Sequence, residues 1–178
     1  MASAHVDTFS ADHLPPKSEW PDLLFTRAEF HYPQQLNCAQ RLLDRHVVEG
    51  NGERRCILAP GIMWTYADLL RKANQIANVL VNEMGVQPGN RVLLRAPNTP
   101  MLAACWFAVV KAGAVAVSTM PLYRAGELRY MIEKAQIRHA LCDHRLAEEL
   151  IAASDSTAGF QTIYFGDQSD AQAPHSAE

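Results

Sequence analysis

The stretch from Val92 to Leu128, VLLRAPNTPMLAACWFAVVKAGAVAVSTMPLYRAGEL, constrains the fold of this chain more than any other. A short apolar run ends at a Pro-Asn turn. A longer apolar run follows and stops at Gly113; a short β-branched run, AVAVST, ends at the turn around Pro121. This order reads as strand, helix, strand and the start of another helix. Asn98 is placed to cap the first helix, with Pro100 in its first turn. Leu102 to Val110 is apolar round almost its whole circumference, which predicts a helix covered on most sides. AVAVST has the composition of an inner strand. No residue in the relay looks like a catalyst, so the stretch reads as scaffold.

The alternation continues on both sides. Upstream, Thr65 and Asp68 stand at capping-box spacing, with Asp in place of Glu. From Tyr66 to Met84, apolar residues recur at helical period, and Gly85 is placed to end the helix in the left-handed conformation. Arg91 to Ala96 is the strand it feeds. Downstream, AGELRYMIEKAQ is helical, RHALCD a strand, HRLAEELIAA a helix and FQTIYF a last strand. Strands near 91, 114, 138 and 160 thus alternate with helices near 99, 125 and 144. The expected class is α/β, a mostly parallel sheet with helices on both faces. Before this body, RCILAPGIMWTY predicts a hairpin turning at Pro60-Gly61, and Asn37 is placed to cap a helix over 38–48 that GNGE breaks.

Three segments are expected: an extended arm over 1–36, the α/β body over 37–166 and a small, polar, disordered tail over 167–178. The arm carries Pro15, Pro16, Pro21 and Pro33. Its Trp20, Leu23, Leu24, Phe25, Phe30 and Tyr32 predict that it lies against something apolar. Cys38, Cys56, Cys105 and Cys142 form no CxxC pair and read as buried free thiols, which points to a reducing, cytoplasmic setting. Sixteen basic and nineteen acidic residues give a net charge of −3 without a basic stripe, so nucleic acid is not an expected partner. The longest apolar run is too short to span a bilayer, so no membrane is expected either.

Motifs that carry chemistry are scarce. GxxxxGK[ST], GxGxxG and GxSxG are absent, and no two histidines stand at i, i+4. Pro88 removes an amide that a phosphate cradle in GVQPGN would use, so that segment reads as a helix-to-strand turn. Cys142, Asp143 and His144 are adjacent, but neighbours on a strand face opposite ways. The plainer reading is a buried thiol with Asp143 or His144 capping the next helix. Arg91, Arg124, Arg129, Arg138 and Arg145 read as solvated charges. Of these, Arg124 stands out with Tyr123: MPLYRAGEL follows the carboxyl end of a strand, the side where ligands of open α/β sheets gather. Tyr123 and Arg124 are therefore the candidate border of a ligand channel, against the alternative of a loop that only starts the next helix.

Taken together, TYADLLRKANQIANVL, the segment GVQPGNRVLLRAPNTP through MPLYRAGEL, and IRHALCD resemble the amino-terminal region of the adenylate-forming acyl- and aryl-CoA synthetases, over about Asn37 to Phe165. Asn90 stands where that pattern has Asp. The arm, with WPDLLF and YPQQLNCAQRLLDRHV, is most similar to 2-aminobenzoate–CoA ligases and their benzoate–CoA ligase relatives. The resemblance implies a two-step reaction: an aromatic carboxylate and ATP give an acyl-adenylate and pyrophosphate, then coenzyme A displaces AMP. It implies ATP, Mg²⁺ and CoA for the full-length parent. It also implies a Ser/Thr/Gly-rich loop ending in Pro-Lys, of which STAG at Ser156 to Gly159 is only an echo. The expectation is an amino-terminal part of such a synthetase, inactive alone, with no catalytic residue or metal ligand to carry over. Incomplete cover over Trp106 and Phe107 then predicts exposed apolar patches and self-association. Two alternatives are a stand-alone α/β binding or interaction module without ATP chemistry, and a small flavodoxin-like enzyme, which would need a phosphate or flavin loop after its first strand.

Overall fold

The computed structural model describes residues 4–33 and 35–166, so the expected tail over 167–178 lies outside the described residues. The arm begins with a single helical turn, α1 (Phe9–Asp12), and two 3₁₀ turns follow it. Asn37 caps the next helical segment as its sequence predicts: its Oδ1 accepts from the amides of Ala39 and Gln40 at 3.0 and 3.2 Å. The segment is wound wider than an α-helix, with π turns over Gln40–Asp44 and Val47–Asn51, and Gly50 adopts φ +82°. Ala39 and Leu43 are fully buried and Val47 is half-buried on one side, while Leu42 stays exposed on the other.

The hairpin β1 (Arg55–Ala59) and β2 (Ile62–Thr65) turns at Pro60-Gly61, with Gly61 at φ +73°. Helix α2 (Tyr66–Asn82) opens on a full capping box: the Asp68 amide donates to Thr65 Oγ1, and the Thr65 amide donates to Asp68 Oδ2. Gly85, at φ +67°, then carries the chain into β3 (Arg91–Arg95), buried at every position. Helix α3 (Pro100–Lys111) follows. Its cap is Thr99, one residue past the Asn98 that the sequence suggests; Thr99 Oγ1 accepts from the Leu102 amide. Pro100 occupies the first helical position, where its missing amide costs nothing. Strand β4 (Val115–Thr119), helix α4 (Ala125–Lys134), strand β5 (His139–Asp143), helix α5 (Ala147–Ser154) and strand β6 (Gln161–Phe165) complete the body.

All pairings in the main sheet are parallel, in the order β4-β3-β5-β6. Alternate residues of β3 face opposite layers. Val92 and Leu94 pack with Leu80, Cys105 and Val109 of α2 and α3. Leu93 packs with Leu128, Ile132 and Leu150 of α4 and α5. Helices therefore cover both faces, as the composition requires. A third cluster, with Leu43, Trp64, Leu69, Ala73 and Ala104, seats the hairpin on α2.

Two expectations are corrected. AVAVST is an edge strand among the described residues, and its Ser118 is exposed; β-branched composition reports low exposure on both faces but not which neighbour supplies it. The arm's aromatics are exposed. Phe25 packs edge-on against Phe30 and Tyr32, so these rings shelter one another.

Candidate functional site

The direction of winding reverses at β3. The chain passes from β3 through α3 to β4 on one side, then crosses through α4 to β5 on the other. Carboxyl ends of strands at such a reversal splay their following loops apart and leave a crevice. Arg95 closes β3 at this point.

Arg95 is only 1% exposed. Its Nε donates to Leu146 O at 3.2 Å. Its two terminal nitrogens donate to Met120 O, Pro121 O and Tyr123 O at 3.1, 3.2 and 2.8 Å. One side chain thus ties the loop after β4 to the loop after β5. Desolvation pushes the guanidinium pKa down. The sequence reading did not single out Arg95, because it follows Val92, Leu93 and Leu94 without a break. An arginine on a strand of otherwise buried residues, in step with Leu93, was the available signal.

Tyr123 and Arg124 lie on that clasped loop. Tyr123 is half-buried against the layer formed by α4 and α5, while Arg124 is exposed. Arg124 pairs with Glu149 of α5 at 2.8 Å, and the other Glu149 oxygen accepts from the Ala125 amide at 2.7 Å. These two partners hold the Glu149 carboxyl below its ordinary range. Together with Arg95, Pro121, Leu122, Arg145 and Glu148, the two residues line a crevice of about 200 Å³. Its rim is charged and clasped: Arg95 is bonded to carbonyls, Arg124 to Glu149 and Arg145 to Asp143, with Glu148 beside them.

The Cys142, Asp143 and His144 run behaves as the plainer reading expects. Cys142 is fully buried, and desolvation raises its thiol to about 12, so it stays protonated. Asp143, 1% exposed, caps the turn into α5 by accepting from the Arg145 amide, and also pairs with the Arg145 guanidinium at 2.7 Å. His144 is bonded to Phe165 O. Arg91 departs from its expectation as a solvated charge, being 7% exposed. STAG, Ser156 to Gly159, turns into the amino end of β6 and so lies at the opposite edge of the sheet from the crevice. Among the described residues, no three His, Cys, Asp or Glu side chains gather where a cation could be held.

A second, apolar cleft of about 440 Å³ opens between the hairpin and the start of α3, lined by Ile57, Leu58, Pro100, Leu102 and Trp106 among others. The four cysteines are free thiols; Cys105 and Cys142 are buried, whereas Cys38 is exposed, contrary to the expectation for all four. No helix of the described residues is long and apolar enough to cross a membrane.

The model of the AMP-binding enzyme family matches residues 44–178. A medium/long-chain-fatty-acid–CoA/3-oxocholest-4-en-26-oate–CoA ligase of Mycobacterium tuberculosis is 30% identical over 128 residues, 72% of this chain and 23% of that ligase. Among solved structures, a benzoate CoA ligase from Burkholderia xenovorans LB400 superposes with a TM-score of 0.67 at 25% identity, over 74% of this chain and 26% of the other. An anthranilate CoA ligase in complex with anthranoyl-AMP shares the fold, with a TM-score of 0.70 at 21% identity over 75% of this chain and 26% of the other. The chain therefore spans about a quarter of the length of each of these three relatives.

Proposed function

Because this chain belongs to the AMP-binding enzyme family, we propose that it forms the amino-terminal α/β architecture of an ATP-dependent acid–thiol ligase acting on an aromatic carboxylate, benzoate or 2-aminobenzoate. In that reaction the carboxylate attacks the α-phosphorus of ATP and releases pyrophosphate; the thiol of coenzyme A then displaces AMP to give the thioester. Such chemistry needs groups that stabilise charge developing on phosphate. The described residues supply a rigid crevice edge and no converging set of phosphate donors, so the chain alone is inactive in this account. Its share is to hold Tyr123 and Arg124 at the border of the channel through which an anionic ligand passes. The free cysteines support a reducing, cytoplasmic setting.

The observation that carries the aromatic reading is the likeness to the benzoate CoA ligase, in fold and at 25% identity. Because the similar M. tuberculosis protein is named for fatty and sterol acids, the test compares acid classes. Pyrophosphate release is measured with Mg-ATP, CoA and either benzoate, 2-aminobenzoate or a medium-chain fatty acid. The samples are this chain alone and this chain fused to the part of the benzoate CoA ligase that follows the matched region. Silence from the chain alone and release with the aromatic acids from the fusion are expected. Turnover by the unaided chain, or a fusion that responds only to the fatty acid, overturns the proposal.

A further inference from the structure

The amino-terminal edge of the sheet, opposite the crevice, holds a second arrangement of polar groups. Arg91 begins β3 and is buried. Its Nε donates to Ala135 O at 2.8 Å, and its terminal nitrogens donate to Gln136 O and Gly89 O, each at 3.1 Å. Those carbonyls satisfy hydrogens but leave the positive charge without an anion. The anion is Asp7, from the arm: Arg91 Nη1 also donates to Asp7 Oδ2. The same oxygen accepts from Asn90 Nδ2 at 2.9 Å.

Asn90 is oriented for this. Its Oδ1 accepts from the Gln87 amide at 3.0 Å, so its donor end has to face the arm. The backbone adds two bonds, since the Val6 and Asp7 amides both donate to Pro88 O, at 2.9 and 3.0 Å. Gly89, at φ +92°, has no Cβ; one there would overlap the Asp7 carbonyl oxygen and come within 2.9 Å of His5 Cβ. Phe9 lies over the Arg91 guanidinium, 4.5 Å from ring centroid to Cζ. Beyond this contact, residues 11–33 are exposed throughout.

We infer that Pro88, Gly89, Asn90 and Arg91 form a peptide-carboxylate notch whose occupant is the chain's own Asp7-Thr8-Phe9 segment, with residues 14–33 as its leash. Recognition is threefold. The Arg91 charge selects a carboxylate, Pro88 O selects a bent backbone that turns two successive amides to one side, and Phe9 caps the guanidinium by a cation–π contact. Asn90 sets the specificity: an aspartate there would turn an acceptor, instead of a donor, toward Asp7. The notch keeps an arm rich in exposed aromatic residues beside the body, and through Arg91 it joins the arm to the end of α4.

The test is amide exchange by NMR on the full chain. N90D and D7N should each speed exchange at Val6 and Asp7 by about tenfold or more, the loss expected for a charge-assisted hydrogen bond, while amides of β3 and β5 stay protected. In the double variant D7N/N90D a donor again meets an acceptor, so exchange should be slower than in N90D alone. Wild-type exchange rates in N90D overturn the inference. If N90D fails to fold, a synthetic peptide of residues 5–13 is added to the wild-type chain: it should speed exchange of the arm amides by displacing them, and its Asp7→Asn form should not. Equal effects from the two peptides, or no effect from either, overturn it.

Discussion

Burying the Arg95 guanidinium among carbonyl groups costs desolvation energy that only a well-made set of hydrogen bonds offsets. Four carbonyls on two loops depend on it. Arg95→Met should lower stability by about 3 kcal/mol or more, read from the denaturant midpoint at unchanged slope; a midpoint equal to wild type contradicts the clasp. His139 gives a prediction of opposite chemistry. Its Nε2 meets Met84 O at 3.2 Å, and desolvation, with Arg138 and Arg91 nearby, lowers its pKa from 6.5. The unfolded chain therefore binds that proton more readily than the folded one. The His139 contribution is complete above about pH 6.5 and is lost as the pH falls through the lowered folded value. His139→Gln should flatten that limb of the stability profile. The thiols separate in the same way: exposed Cys38 should react with a thiol reagent in the native state, while Cys105 and Cys142, both raised to about 12, should wait for unfolding.

Elements that depend on local sequence were legible in it. The capping box at Thr65 and Asp68, the stops at Gly85 and Gly113 and the Pro60-Gly61 turn all involve residues within a few positions of one another, and each formed as read. Helix α3 shifted its cap from Asn98 to Thr99 because either side chain can accept an amide, and the choice falls to where Pro100 begins the helix. What sequence could not give were partners brought together by tertiary structure. Asp7 and Arg91 are 84 positions apart, and Arg95 meets carbonyls up to 51 positions away. The position of β4 at an edge was hidden for the same reason. At this scale the capping box is testable: Thr65→Ala should cost about 1 kcal/mol. Bonds from the Thr65 amide, the Arg71 side chain and the Thr65 hydroxyl hold Asp68 down to about 2. Its share of α2 stability is complete above about pH 4 and lost toward pH 2, and solvent screening keeps it small. Circular dichroism of wild type and Asp68→Asn across that range checks both statements.

As a whole molecule, the chain has a packed parallel sheet with a clasp at each end: Arg95 at the crevice and Arg91 under the arm. It also shows apolar side chains to solvent, with Leu122 80%, Leu58 73% and Met120 55% exposed. Those flank the apolar cleft or the crevice loop, and together they predict mass that rises with concentration in light scattering; a monomer at every concentration would contradict this. The candidate site was legible only as a place. The carboxyl end of a strand in a parallel sheet pointed to Tyr123 and Arg124, whereas the carbonyl partners by which Arg95 fixes their loop lie too far along the chain to be read from it. The most direct test of the account is calorimetric titration of Mg-ATP into the purified chain. The account predicts no saturable binding up to about millimolar nucleotide, because the described residues offer architecture and no phosphate cradle; micromolar, saturable binding would contradict it.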